Sequence, residues 1–397
     1  MKDFLIIGVD GGATKVTAWV VNVDGDGNFS LGEISKSHSY AEYPEYDPGF
    51  VPVKMDIQLQ DFTTDRIRVT DAEMRQAAVY TKACAEAIID VARKSGQSRL
   101  LVGVGMPGLK TKDQRGIAVM ANGPRQVNYA ANLEQRLVDT GLKLEAPIDH
   151  IGSDAFYCGL GEEFASDGQF RNVTNSYYLG GGTGAADALK LNGELISLDD
   201  IRNWFVKTWE IKCPENRSIE TYVSSKGIQS LYAELSAFSL EELNQKAMYP
   251  PQILEAAYRG DSRAKETFEK VAKYLALLTY ERITTLFAGW QGLFRFLNPN
   301  RPEPEVQHPY HGSVFDTIII GQRLGEMLKQ SGNDTILWQP FRKYLNMLIC
   351  ESAVLDEKAK AHYCTDGCFR EERLAVSQLR EAPALGAGID AYLTYGG

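Results

Sequence analysis

Asp10 is followed directly by Gly11 and Gly12, then by Thr14 and Lys15, between the apolar run Phe4–Val9 and the β-rich stretch Val16–Val23. A carboxylate, two glycines, a hydroxyl and a cation at that spacing suit polyphosphate chemistry. Glycines let backbone N–H groups crowd an anion without side-chain obstruction. Asp10 could hold a hydrated Mg²⁺, which commonly binds one or two carboxylates plus phosphates and water. In a P-loop or a dinucleotide-binding unit the glycines lead into a helix. Here a second strand follows, so the loop is a hairpin turn, and an ordinary DGG hairpin fits the same residues. A second such turn lies in YYLGGGTGAADALKL at 177–191, where Gly180, Gly181, Gly182, Thr183 and Gly184 again join strand to strand. Its small side chains suit a second anion approach or a purely conformational role. Two hairpins about 170 residues apart suggest a duplicated core closing on one nucleotide from both sides.

The elements that would carry these turns alternate. Ser35–Thr70, with YAEYPEYDPGFVP, has the Pro, Gly and Tyr content of an ordered excursion rather than a helix. Asp71 is a good N-cap for the next helix. Met74, Ala78, Thr81, Ala85, Ile88 and Ala92 trace one face of it, and Gly96 is its expected stop. Leu100–Val104 reads as a buried strand ending in GMPG, and Ile148–Ile151 as another ending in GSDA. From Ser218 to Tyr258 the pattern is helical, and Ala264–Phe287 is the clearest helix. Val314–Ile320 is a β-branched strand stopping at Gly321, and the last helix runs from about Gly386 to Tyr395. Strands alternating with helices of this length predict an α/β class.

A chain of 397 residues is long enough for two domains, and 44% hydrophobic with 24% charged residues is ordinary for a globular protein. The net charge of −10 argues against a nucleic-acid or anionic-membrane surface. It does not forbid an anionic ligand, since phosphate sites are built locally. Six cysteines show no dense disulfide spacing. No charged leader with an apolar run precedes the first strand, and no stretch approaches the roughly 20 apolar residues that span a bilayer. A cytoplasmic location with reduced thiols is expected.

Taken in order, these motifs resemble the sugar-kinase branch of the actin/Hsp70/hexokinase-like ATPases, most nearly the ROK family (repressors, open reading frames and kinases). The likeness rests on GVDGGATK at 8–15, GVGMPG at 103–108, GSDA at 152–155 and LGGGTGAA at 179–186. It continues with SIETYVSSKGIQ at 218–229, LNPN and FDTIIIGQRLGEML within 297–328, and APALGAGIDA at 382–391. What the resemblance implies is a fold of two ribonuclease-H-like (actin-like ATPase) domains with an interdomain cleft. The first would comprise 1–152 with 384–397, and the second 153–383.

The same resemblance implies an ATP- and Mg²⁺-dependent sugar kinase acting on a hexose or amino sugar, and it assigns roles. Asp154 matches the family's general base; alone, it would as well be a helix N-cap. Nucleotide contacts fall to Asp10, Gly11, Gly12, Thr14, Lys15, Gly181, Gly182, Thr183, Gly184, Gly321 and Gln322, with Gly386 and Ala387 against the adenine. Asp10 would hold Mg²⁺ through water. Gly108, Asn122, Ser153, Asp154 and Glu220 would face the sugar. The partner is a small-molecule sugar, with no nucleic acid or membrane, and a homodimer is left open.

The pattern also breaks. The family's zinc-binding cysteines and histidine are missing from Leu191–Arg217, which has only Cys213, so no zinc is expected. The usual Glu-x-x-His element is replaced around WFVKTWEIK, where Trp204, Lys207, Trp209 and Glu210 could form a new sugar wall or simply pack. His362, Cys364 and Cys368 fall short of a four-ligand structural zinc site. Competing readings are a degenerate sugar- or nucleotide-binding protein without turnover, a sugar-responsive regulator, and a dehydratase-activating ATPase. The sugar and its reacting hydroxyl stay open.

Overall fold

An apolar run closed by glycines becomes β1 (Leu5–Gly11), and its neighbours explain why it is apolar throughout. It pairs antiparallel with β2 (Lys15–Val23), which pairs with β3 (Phe29–Ser39). The structure, a computed structural model, describes residues 4–331, 335–379 and 381–396. They divide into two compact units, 1–168 with 381–397 and 169–380.

In the first unit α1 (Met55–Thr63) and α2 (Asp71–Ser95) follow β3. Next come β4 (Arg99–Gly105), the short hairpin β5 (Leu109–Lys110) with β6 (Ile117–Val119), α3 (Tyr129–Asp139), β7 (Lys143–Leu144), β8 (Ile151–Gly152) and α4 (Asp154–Phe164). The sheet order is β3-β2-β1-β4-β7, with β8 on the far end of β4. β4 runs parallel to β1, setting Asp10 opposite Gly105. Successive strand residues face opposite ways. Ile7 and Val9 pack with Val79, Ala83, Ile88 and Val91 of α2. Gly8 faces the last helix, Ala382–Tyr395, so closely that a Cβ there would lie 1.8 Å from the Ala384 carbonyl. The helix reaches the sheet at backbone contact, which is why its sequence is rich in Gly and Ala.

The second unit repeats the plan. β9 (Ser176–Gly181), β10 (Ala185–Leu191) and β11 (Glu194–Ile196) form an antiparallel set. Short β12 (Ile211–Lys212), α5 (Glu220–Val223), α6 (Ser225–Ser236), α7 (Leu240–Gln245), α8 (Pro250–Tyr258) and the long α9 (Ser262–Ala288) follow. β13 (Arg295–Phe296) pairs with β12, and then come β14 (Thr317–Gly321), α10 (Gln322–Ser331), α11 (Trp338–Cys350) and α12 (Glu357–Tyr363). The hairpin of β15 (Cys364–Thr365) with β16 (Cys368–Phe369) and β17 (Leu374–Val376) complete the unit. The order β11-β10-β9-β14-β17 repeats that of the first sheet. Under it, fully buried Arg282 of α9 donates to the Val206 carbonyl and Thr208 Oγ1, and Asp187 of β10 accepts from Tyr177 and Thr208.

Three expectations are corrected. Thr70, not Asp71, is the N-cap of α2, because Thr70 and Glu73 bond each other's backbone N–H in a capping box, and Asp71 is the first helical residue. The Ser35–Thr70 segment contains the end of β3 and helix α1. That helix owes its place to tertiary bonds: buried Gln58 donates to the Val53 and Met120 carbonyls and accepts the Met120 N–H, and buried Arg125 pairs with Asp61 and Glu73. The division falls at 168 and 381, not 152 and 384, because α4 packs on the last helix, with Gly386 against the Tyr157 backbone. Among the described residues, no helix is long and apolar enough to cross a membrane.

Candidate functional site

The first glycine turn is built from behind. Gly12 N–H donates to the Lys15 carbonyl at 2.9 Å, leaving Ala13 and Thr14 at the tip. Asp10 precedes the turn, opposite Gly105. Gly11 lies tight against its neighbours: a Cβ there would sit 1.8 Å from Met106 Sδ and 3.1 Å from the Gly105 carbonyl. Burial pushes the Asp10 carboxyl up to about 7, helped by the nearby carboxylates of Asp154 and Glu381 and opposed by Lys15. Asp10, Asp154, Glu381 and Lys15 are therefore one electrostatic cluster. Lys15 and Thr14 are exposed at its edge.

Asp154 reaches this cluster because β8 ends at Gly152 and α4 begins two residues later. Ser153 occupies the N-cap position without a side-chain cap bond. Asp154 is the first helical residue, and its Oδ1 accepts the Ala155 N–H at 3.0 Å. The cap alternative for Asp154 thus loses its position to Ser153.

Other expected residues of this unit are distributed differently. Gly108 has φ +100° and a Cβ there would strike the Val119 carbonyl at 2.2 Å, so the turn into β5 requires glycine at this position. Lys110 Nζ donates to the Met106 and Gly108 carbonyls at 2.6 and 2.8 Å. Asn122 is exposed on the turn after β6, between the Gln58 and Arg125 anchors. Gly386 and Ala387 are buried packing positions: a Cβ at Gly386 would lie 1.9 Å from the Tyr157 carbonyl, and the Ala387 carbonyl faces Gly103. Both positions help hold the last helix against the sheet and α4.

In the second unit, Gly180 pairs with Ala186 and with Gly321 of β14. The Gly182 carbonyl accepts the Ser225 N–H at 2.8 Å, from the start of α6. Glu220 Oε1 accepts the Ala185 N–H at 2.7 Å, so this carboxylate rests on the turn itself. Gln322, at φ +55°, opens α10 and folds its amide over the same glycines; a Cβ at Gly182 would meet Gln322 Oε1 at 2.5 Å. Thr183 and Gly184 are exposed at the tip. Gly181 is closed in by Leu324 and the Val223 carbonyl.

The WFVKTWEIK stretch is mostly internal. Trp204 is buried and stacks on His308 with ring centroids 4.0 Å apart. Glu210 is buried beside Arg202 and Arg301, and Lys207 pairs with Asp199. Only Trp209 of the four is exposed. His362 Nε2 lies 2.8 Å from the Phe315 carbonyl, and Cys368 pairs with Thr365 across the β15–β16 hairpin. Sequence reasoning missed Glu381, whose signal was an acid directly before the APALGAG helix. It also missed Tyr40 and Tyr80, which touch the first turn and lie far from it in sequence.

A model of the ROK family matches residues 63–288. No curated protein sequence matches significantly. Among solved structures, a ROK family glucokinase from Streptomyces griseus in complex with glucose and AMPPNP aligns with a TM-score of 0.58 at 16% identity, covering 97% of this chain and 98% of that one. A ROK hexokinase from Thermus thermophilus aligns at 0.52 and 15%, covering 98% and 99%. A ROK family transcriptional regulator, a homologue of the E. coli MLC protein, aligns at 0.54 and 14%, covering 99% and 79%. At these identities the structures share a fold with this chain and no more. The family match spans both Asp154 and the second glycine turn, and with its actin-like ATPase fold the chain belongs to the ROK family.

Proposed function

We propose that the protein is an ATP-dependent sugar kinase that phosphorylates a hydroxyl of a hexose or amino sugar, with Asp154 as general base. The observation that carries this reading is the cluster at the first turn. Half-buried Asp10 is destabilised as an anion by its loss of solvent, and further by Asp154 and Glu381, beside a glycine turn with an exposed tip. Phosphoryl transfer asks a protein mainly to position groups and balance charge. Backbone N–H groups of the first turn, with Thr14 and Lys15, bind phosphate oxygens. Within the second unit, the exposed tip at Thr183 and Gly184, with Gln322 and Gly321 close by, is proposed as a further nucleotide-binding element. Asp154 accepts the proton of the sugar hydroxyl as its oxygen attacks the γ-phosphorus, and ADP leaves.

The chemistry of the acids suits Mg²⁺. Among the described residues, no group of three or more His, Cys, Asp or Glu side chains could hold a metal by itself. An ion that takes most of its shell from phosphates and water needs only one or two carboxylates, and a cation beside Asp10 would offset the burial and carboxylate crowding that raise its pKa. Mg²⁺ held there would neutralise charge on the transferring phosphates. Asn122, Ser153 and Glu220 remain proposed sugar contacts.

A second reading, a binding protein without turnover, draws on one observation. Trp204 and Glu210 are packed inside the second unit and do not replace the missing Glu-x-x-His element. A coupled ADP-release assay with MgATP over hexoses, N-acetylhexosamines and their polyols tests both readings. Sugar-dependent ADP release is expected. Saturable sugar and nucleotide binding with no release across the panel would overturn the kinase reading in favour of the second.

A further inference from the structure

We propose that the hydroxyls of Tyr40 and Tyr80 are positioning groups for phosphate binding, holding the carbonyls of the first glycine turn away from the ligand so that its N–H groups face it. Tyr40 Oη donates to the Gly12 carbonyl at 3.1 Å, and Tyr80 Oη donates to the Ala13 carbonyl at 2.8 Å. The Tyr40 N–H takes the Thr14 carbonyl at 3.0 Å. Three successive carbonyls are thus held from beneath by two residues. A trans peptide is planar, so a C=O and the following N–H point in opposite directions. Fixing the Gly12 and Ala13 carbonyls toward the tyrosines aims the Ala13 and Thr14 N–H groups outward. Among the described residues neither of these N–H groups has an acceptor. Successive N–H groups converging on one side form an anion-binding concavity.

The support is rigid. The two rings stack with centroids 3.6 Å apart at 19°, and both are buried. They come from different elements: Tyr40 opens the 3₁₀ turn Tyr40–Glu42 after β3, and Tyr80 stands in the middle of α2. Each ring packs flat against the other as its hydroxyl reaches the turn. This gives the β3 extension and α2 a part in nucleotide binding without touching the ligand. Tyr43, three residues on, donates instead to Glu86 at 2.7 Å and does not touch the turn. It is an internal control for a buried hydroxyl on the same segment.

The inference rests on the kinase reading above, and the experiment separates the two. Calorimetry measures Mg²⁺–AMPPNP binding to wild type, Tyr40→Phe, Tyr80→Phe, the double variant and Tyr43→Phe, each full-length, with Tm recorded for all. Phe keeps the ring stack and removes only the hydroxyl. A net hydrogen bond corresponds to about 2- to 12-fold in an equilibrium constant, so each single variant should weaken binding about 3- to 10-fold, and the double variant more. Tyr43→Phe should change Tm like the others and leave affinity within about twofold. In wild type the Ala13 and Thr14 amide resonances should shift on adding the nucleotide, and shift less in the double variant. Wild-type binding with an unchanged double variant would overturn the inference and leave the kinase reading standing. Wild type failing to bind Mg²⁺–AMPPNP would overturn both.

Discussion

The two glycine hairpins sit at the same place in two sheets of the same strand order, yet they are supported by different means and carry different chemistry. The first sets Asp10 opposite Gly105 of the parallel neighbour; the second sets Gly180 opposite Gly321. The first turn has its carbonyls held by tyrosine hydroxyls, the second by the Ser225 backbone N–H of a helix start. The first gathers Asp154 and Glu381 around Asp10. At the second, the Glu220 carboxylate is bonded to the turn itself. A duplicated scaffold therefore supplies two glycine turns, and Asp10, Asp154 and Glu381 gather at the first. In the kinase proposed here the chemistry belongs to that first turn, and the second has a holding part.

That comparison can be broken most directly at Asp154. Asp154→Asn should lower kcat about 10²- to 10⁴-fold, the usual worth of general-base assistance, with nucleotide affinity unchanged. Glu220→Gln, in the second unit, should cost less than tenfold in kcat. Steady-state kinetics on both variants decide it, and equal losses would dissolve the asymmetry.

Asp10→Asn should raise the Mg²⁺ concentration needed for half-maximal activity about 10- to 100-fold, as for a group that orients a metal through water. The same change should stabilise the protein without ligand. A carboxylate pushed up to about 7 binds its proton more readily folded than unfolded. Its ionised form therefore costs stability above that pH, and the cost fades as pH falls toward 4. The Tm advantage of the variant should be full at pH 8 and vanish near pH 4. An advantage independent of pH would remove the raised pKa of Asp10, with the burial and carboxylate crowding behind it.

Gly386→Ala sharpens the comparison at the level of packing. The extra methyl would strike the Tyr157 carbonyl, and overpacking of this kind costs about 1–3 kcal/mol. Tm should fall while the KM for ATP holds. An unchanged Tm with a raised KM would favour the adenine role.

The smallest effect is expected at His150. Hydrogen bonds and charge from Asp390, with further help from Asp149, outweigh its partial burial and raise its pKa to about 9. Tyr157 donates to Asp390 at 2.9 Å and Tyr395 to Asp149 at 2.8 Å in the same network. A raised histidine contributes stability that is full below its unfolded pKa, near 6.5, and is lost as pH rises toward 9. His150→Gln should lower Tm by a degree or two at pH 6 and not at pH 10, by thermal melts at both. A deficit that persists at pH 10 would mean the network acts without the charge.

Much of the first turn was legible, because Asp10-Gly11-Gly12 between two apolar runs is local information. Asp154 was legible only through its motif; nothing local distinguishes an acid at a helix start from a cap, and Ser153 shows how near the two lie. The packing part of Gly386 and Ala387 was not legible for the same reason. Small residues invite close approach, and the sequence does not say whether a ligand or a neighbouring element makes it. Helix α1 was missed because Gln58 and Arg125 hold it through bonds to residues 53, 61, 73 and 120.

By itself the sequence determined the strands, their glycine ends and the alternation that makes an α/β chain, since apolar runs and backbone freedom act over a few residues. It also contained the order of motifs that marks the family. Only the tertiary structure decided which side chains meet at the turn. Asp10, Asp154 and Glu381 come from three distant points of the chain, and Tyr40 and Tyr80 from two more. Charge crowding and hydrogen bonding act through a few ångströms of space, so their consequences exist only once the sheet and its helices have brought those points together.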